Sequence, residues 1–425
     1  MSFAGGADMG ARPSMAAMVA MFVATALAMI GNYYVYDSIG PVAELLSRQL
    51  GYSDTQIGTL NAVYSLPNIV MVLIGGVLVD RYSARVVTLA TTMICFLGAV
   101  LTAFGADFPM MVAGRLLFGL GAETMIVAIT VALAQWFAGR YFALLFALNI
   151  TFARLGSYLA DRSPSFASDL YSQGWQPPLW LAAGFAAMAV AGAIVYWLVD
   201  RREAARGTLA IAPPGDRFEW RSLLRFRSEY WLIVAICVTF YSVIFPFRST
   251  FSIKYFQEAH GLTLEAASTL NSYVFLAAMF ATHAFGLLVD RVGRHAPLLT
   301  LGALALPASF AMLALPGNAA LVGATILIGV SFSLVPAVLW PAVPRYAAAE
   351  QLGTAYGLMT ALQQTGVFLA NIIAGSINDA SGASAANPAG YDGMLWFFGT
   401  ISLAAFVSAL LLWTRGRRAS PVTAG

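Results

Sequence analysis

Residues 114–137 read GRLLFGLGAETMIVAITVALAQWF and residues 141–160 read YFALLFALNITFARLGSYLA, two apolar runs parted by Ala138-Gly139-Arg140. At 1.5 Å rise per residue, about 20 apolar residues cross the hydrocarbon core of a bilayer, so each run is long enough to span one. The first run carries Glu123 near its middle and the second carries Arg154 near its middle. A charge at that depth is unfavourable by roughly 2.5–3.5 kcal/mol on insertion scales unless it faces a partner or a wet cavity. Two unlike charges at one depth on consecutive helices predict a salt bridge, a substrate site, or a pair that opens when substrate arrives.

The rest of the chain is of the same kind. Of its 425 residues 60% are hydrophobic and 10% charged, whereas soluble domains carry about 25% charged residues. The composition predicts an all-α integral membrane protein. Apolar runs between charged or Pro/Gly-rich breaks mark twelve spans, at 14–37, 55–79, 86–106, 108–137, 141–163, 178–199, 230–253, 265–289, 296–315, 319–343, 352–377 and 393–414. The N-terminus lacks the basic segment and cleavage site of a removable signal peptide, so the first span is expected to stay. With both termini in the cytoplasm, most of the 23 Lys and Arg fall on the cytoplasmic side, as the positive-inside rule requires. Cys95 and Cys237 lie inside spans and read as buried free thiols. The net charge of +3 follows topology and gives no sign of nucleic-acid binding.

The longest break between spans, 200–229, carries seven arginines and divides the chain into two six-span halves, 1–199 and 230–425. A gapless shift of 210 residues lays one half on the other. Gly51 then falls on Gly261, Leu78-Val79-Asp80-Arg81 on Leu288-Val289-Asp290-Arg291, Gly119 on Gly329 and Gly156 on Gly366. An even number of spans per half keeps both copies in one orientation, a parallel repeat.

The loops GGVLVDRYSAR and FGLLVDRVGRH are variants of the G-x-x-x-D-R-x-G-R loop of the major facilitator superfamily, which the chain resembles over its whole length. The first copy departs from the pattern, with Ser83 where glycine is usual. Arg115-x-x-Phe118-Gly119-x-Gly121-Ala122 is similar to the superfamily's fourth-helix motif, with Phe118 in place of the commoner polar residue. The strings YYVYD (33–37), YSLPNIV (64–70), GRLLFGLGAET (114–124), FARLGS (152–157), FPF (245–247), AVLWP (337–341) and QLGTAYGLM (351–359) resemble the branch that contains the lysosomal dipeptide transporter. The resemblance implies two pseudo-symmetric six-helix bundles rocking about a midplane site, with Glu123 and Arg154 at positions that hold the two ends of a dipeptide. It further implies cytoplasmic gating by Asp80, Arg81 and Arg85 in the first loop and Asp290, Arg291 and Arg294 in the second. An aspartate at a helix end beside arginines forms a charge-assisted latch whose breaking permits opening.

A carrier of zwitterions needs an anion for the ammonium, a cation for the carboxylate, and room between them. Glu123 and Arg154 supply both charges, and an arginine fork suits bidentate carboxylate binding. Glu123 is also the candidate for proton coupling. Arg115 shares a helix face with Glu123 and is a candidate for cargo binding or helix packing. On α-helical spacing Arg154, Ser157 and Asp161 form one stripe, with Asp161 read as solvated at the external end. Further candidates are Tyr36, alternatively an interfacial aromatic, and Tyr241, Arg248, Asn271, Trp340 and Gln364. Arg248 adds positive charge that favours anionic cargo, and the lone in-span histidine, His283, reads as a packed residue. No P-loop, HExxH or nucleophile elbow is present, so neither an enzyme nor a nucleotide-driven pump is expected. No metal or cofactor is expected either. The expected protein is a functional monomer in a bacterial inner membrane, carrying dipeptides or similar small zwitterions by facilitated diffusion or proton coupling. A proton-coupled organic-anion carrier and a non-transporting receptor or scaffold are the alternatives.

Overall fold

The computed structural model describes residues 13–105, 107–137, 141–208, 226–292, 295–347 and 351–418. The helices run α1 (Met15–Asp37), α2 (Ile39–Leu50), α3 (Asp54–Ala62), α4 (Ser65–Tyr82), α5 (Ala84–Phe104), α6 (Phe108–Trp136), α7 (Phe142–Phe166), α8 (Ser168–Ser172) and α9 (Gln176–Ala205). After them come α10 (Ser228–Pro246), a π-helical turn (Phe247–Phe251), α11 (Ser252–His260) and α12 (Leu264–Val292). The chain continues through α13 (His295–Leu313), α14 (Asn318–Ala342), α15 (Leu352–Ser381) and α16 (Asp392–Arg418). Among the described residues there is no sheet, only an isolated bridge between Ser384 and Asn387. In a bilayer every backbone polar group must be satisfied within the protein, and a helix does so segment by segment.

Among the described residues nine helical stretches are long and apolar enough to cross a membrane, ten if the bent pair Asp54–Val72 and Ile74–Tyr82 is one span. The twelve ranges read from the sequence are helical over most of their described residues. However, α7, which carries Arg154, Asp161 and Arg162, and α12 are not among the stretches that qualify by apolarity. The expected domain border at 199/200 falls inside α9, which continues to Ala205. The reason is visible: Asp200 is buried and accepts from Trp136 Nε1 at 2.8 Å and Arg85 Nη1 at 3.1 Å. Residues 209–225, most of the expected linker, lie outside the described residues.

In the N-terminal half α1 packs on α7 and α9, α5 on α6 and α9, and α4 on α6. In the C-terminal half α10 packs on α15 and α16, α12 on α14, and α13 on α14 and α16. Contacts between halves run mainly through α7 on α12, α3 and α4 on α15, and α2 on α11. The 210-residue repeat recurs as geometry. Gly51 and Gly261 end α2 and α11 with φ of 69° and 67°, the left-handed conformation that glycine adopts without steric penalty. A Cβ at Gly119 would collide with the Tyr64 carbonyl, and one at Gly329 with that of Val274, its repeat mate. Small residues let membrane helices approach this closely. Ser83, the departure from the loop motif, sits at φ 69°, ψ 149° between α4 and α5, a region populated almost only by glycine. The loop therefore keeps the glycine geometry without the glycine.

Candidate functional site

Between the two halves lies a cavity of about 420 Å³, within the range of about 300–1,000 Å³ usual for small-molecule sites. α1, α6 and α7 wall one side; α10, α14 and α15 wall the other. Glu123 projects into it from α6 and Arg154 from α7. They form no salt bridge with each other. Instead Glu123 Oε1 accepts from Tyr64 Oη and from Gln364 Nε2, both at 3.2 Å. The Arg154 guanidinium lies 4.5 Å from the centroid of the Phe332 ring, a cation–π contact that fixes its plane. Each charge thus touches the opposite half of the chain, Glu123 through α15 and Arg154 through α14.

The cavity wall is polar where it counts and aromatic elsewhere. Arg154 Nε and Nη1, Asn149 Nδ2 and Ser157 Oγ have no partner among the described residues. Buried polar atoms are ordinarily bonded, so these donors are available to a ligand. Tyr36 meets Tyr64 edge-on at 4.8 Å and Phe245 at 5.9 Å. Tyr241 stacks on Phe245 at 5.5 Å and accepts from Trp340 Nε1 at 3.0 Å. Tyr356 stacks on Trp340 at 6.0 Å and donates to its carbonyl at 3.1 Å, which braces the indole against the cavity.

Of the residues singled out in the sequence, Glu123, Arg154, Tyr36, Tyr241, Trp340 and Gln364 line this cavity, and Arg115, Arg248 and Asn271 do not. Arg115 is buried and donates to the carbonyls of Leu60, Val35 and Tyr36 and to Asn61 Oδ1, at 2.6–3.1 Å. Val35 and Tyr36 lie in the last turn of α1, where carbonyls favour a cation; the Val35 carbonyl also accepts from Ser38 Oγ at 2.8 Å. These bonds tie α6 to α1 and α3. Arg248, in the π-helical turn, binds Asp37 and Asp161 at 2.6 Å each, all three side chains being 2% exposed or less. Asp161 is therefore buried and paired, contrary to the solvated reading, because the turn brings Arg248 across from the other half. Asn271 Nδ2 supports the Arg248 carbonyl at 3.2 Å and belongs to the same seal. Tyr64, Phe245, Phe332 and Asn149 were missed. The sequence places them on helix faces, but nothing in it distinguishes a cavity face from a packed one.

Beyond the cavity, towards α2 and α11, further bonds join the halves. Lys254 Nζ meets Asp54 at 2.7 Å, and Asn378 Nδ2 donates to Asp54 at 2.8 Å. Both carboxylate oxygens of Asp379 accept the amides of Asp54 and Thr55, at 2.8 and 2.9 Å. A C-terminal side chain thereby caps the N-terminus of α3, where a carboxylate suits the helix dipole. Asn61 Nδ2 donates to Ser249 and Thr250, and Arg162 to Thr269. At the opposite end, Arg85 pairs with Asp200 within the N-terminal half and so forms no latch between halves. Asp80 and Arg291 are exposed, while the side chains of Asp290 and His283, and residue Arg294, lie outside the described residues. Among those residues no cluster of His, Cys, Asp and Glu suits a metal ion. Cys95 and Cys237 are buried free thiols.

The family model of the Major Facilitator Superfamily matches residues 21–371 and 247–425. The chain belongs to that superfamily. It is 31% identical over 364 residues to the lysosomal dipeptide transporter MFSD1 of Danio rerio, covering 83% of this chain and 78% of the relative. The human MFSD1 is 30% identical over the same coverage, and the hexuronate transporter of Bacillus subtilis is 24% identical over 84% of this chain and 87% of its own. Among solved structures, a bacterial homolog of the human lysosomal transporter Spinster, inward-facing and unoccupied, matches with a TM-score of 0.74 at 15% identity. The match covers 96% of this chain and 100% of that one. The nucleoside transporter NupG matches at 0.71 and 15%, covering 94% and 99%. These two likenesses concern the fold. Membership makes this a membrane-embedded secondary transporter of small molecules.

Proposed function

We propose that this transporter carries small zwitterions, dipeptides foremost, by rocker-switch alternating access between two six-helix bundles. One observation supports the reading above the others: Glu123 and Arg154 face the same cavity, bind each other in no way, and each keep capacity for a ligand of opposite sign. Glu123 is assigned the cargo ammonium. Arg154, with two free donors and a fixed plane, takes the carboxylate in a bidentate grip. Tyr36, Tyr241 and Trp340 offer aromatic surface to the cargo side chains. Gln364 and Phe332 sense the same two charges from the other half, so cargo binding favours one relative arrangement of the halves.

In this reading twelve spans place both termini in the cytoplasm of a bacterial inner membrane, and α2 and α11 lie at the outer face. Sealing at that face and a cavity walled by both halves correspond to a state open to the cytoplasm. The organic-anion alternative loses much of its basis, since Arg115 and Arg248 are occupied by the protein and an uncompensated Glu123 repels an anion. The test is counterflow in proteoliposomes. Preloaded dipeptide should drive uptake of labelled dipeptide, and Glu123→Gln or Arg154→Ala should lower it by about tenfold or more, the loss of one charge-assisted bond. Counterflow with dicarboxylates but not dipeptides would overturn the cargo assignment, and absence of flux with any solute would favour a receptor.

A further inference from the structure

We propose that Asp37 and Asp161 together form a proton-binding site in the outer seal, for which the proton and the guanidinium of Arg248 compete. The inference rests on the alternating-access reading but not on the identity of the cargo.

Two carboxylates from the N-terminal half, on α1 and α7, converge on one guanidinium from the C-terminal half. The cluster brings two carboxylates to one guanidinium, all three side chains being buried. Arg248 Nη1 also donates to Ser249 Oγ at 3.0 Å, and the Phe275 ring lies 3.9 Å from the guanidinium. Asp37 Oδ2 and Arg248 Nε have no partner among the described residues. Enclosed charges of like sign are tolerated only with full compensation, and here compensation is one cation short. Other titratable or charged groups around the cluster are Tyr33 and Tyr36 on α1, Arg115 on α6 and Tyr171 on α8. Phenols ordinarily titrate at about pH 10, and Arg115 is engaged by carbonyls.

The geometry has a consequence for opening. Arg248 is the only group of the three contributed by the C-terminal half, so separation of the halves leaves the two aspartates on the N-terminal half together without it. Two adjacent carboxylates lacking a cation share a proton. Closure returns the guanidinium and expels the proton, and Asp37, which also lines the cavity, gives it a way into the cargo chamber. The π-helical turn supports this assignment. An inserted residue in a helix is a common device for aiming a functional side chain, and here the turn aims Arg248 at both acids. The proton site is thereby moved from Glu123, whose partners are the neutral Tyr64 and Gln364, to the seal.

By linkage, acid favours the state that binds the proton, the one with the outer seal open. Each proton taken up changes the open-to-closed ratio by up to about tenfold per pH unit. The test is a distance measurement without cargo. Spin labels at Ser172→Cys and Ala386→Cys, exposed sites on either half beyond the seal, are followed by pulsed electron resonance in nanodiscs between pH 8 and pH 5. The wild-type pair should gain a longer-distance population on acidification. Arg248→Gln should populate it at every pH. Asp37→Asn/Asp161→Asn should abolish the pH response; Asp161→Asn alone, which keeps the Asp37 bond, serves if the double variant does not fold. A pH-insensitive wild type, or a response that persists in the Asn variants, would overturn the proposal. Because no cargo is present, either result stands apart from the dipeptide assignment.

Discussion

Glu123 and Arg154 were legible as residues because an ionised group amid apolar sequence is a strong signal, and the choice between salt bridge and open site was not. That choice depends on partners far along the chain, Tyr64, Gln364 and Phe332, which no local pattern connects to them. Arg115 shows the converse. Its spacing from Glu123 suggested a shared cavity face, yet its long stem reaches the end of α1 instead. Arg115→Leu is expected to remove the donor that serves Leu60, Tyr36 and Asn61 in the buried interior and to destabilise the protein by about 1–3 kcal/mol. The apparent unfolding temperature should fall while dipeptide affinity of the folded fraction is unchanged; a selective loss of affinity would return Arg115 to the cargo site. At Ser83, Ser→Gly removes backbone strain at φ 69° and should stabilise by about 1 kcal/mol, read as a raised unfolding temperature.

Helices were the most legible elements, since their apolar length fixes them almost regardless of packing. Their breaks were less so. The break between α3 and α4 at Val63 and Tyr64 and the π-helical turn after Pro246 have no single-residue signature beyond the proline, and the second one carries Arg248. α9 runs past the span end read at 199, and Asp200 within it is bonded to Arg85 and Trp136, partners that no local pattern connects to it. Asp379 likewise gives no sign in sequence of capping α3 from 324 residues away. Asp379→Ala should remove that cap, weaken the seal by about 1–2 kcal/mol, and raise labelling of a cysteine placed at Ser376 by an impermeant reagent from outside. Unchanged labelling would show that the cap stabilises α3 without contributing to closure.

Across the whole molecule, the doubled Asp-Arg loops and the 210-residue shift indicated the fold because a parallel repeat constrains topology without any need for contacts. The asymmetry between the halves was equally visible, with both midplane charges on the N-terminal side. Hidden from the sequence was the state. Bonds between the halves cluster at the end of α2 and α11, where Arg248, Lys254 and Asp379 each reach an N-terminal partner, and pairing across that distance is set by tertiary geometry alone. The two halves are therefore joined on one side by polar bonds, with a charged chamber behind them that is proposed to hold the two ends of the cargo.

The most direct test of that chamber is a binding cycle between protein and ligand. Thermal stabilisation of the purified transporter is measured with a free dipeptide, its N-acetyl form and its C-terminal amide, on wild type, Glu123→Gln and Arg154→Ala. Ligands that bind the folded state raise its apparent stability by mass action. N-acetylation should weaken binding to wild type and Arg154→Ala but not to Glu123→Gln, while amidation should weaken binding to wild type and Glu123→Gln but little to Arg154→Ala. If both blocked ligands lose the same affinity in all three proteins, Glu123 and Arg154 do not hold the ends of a dipeptide, and the central claim fails.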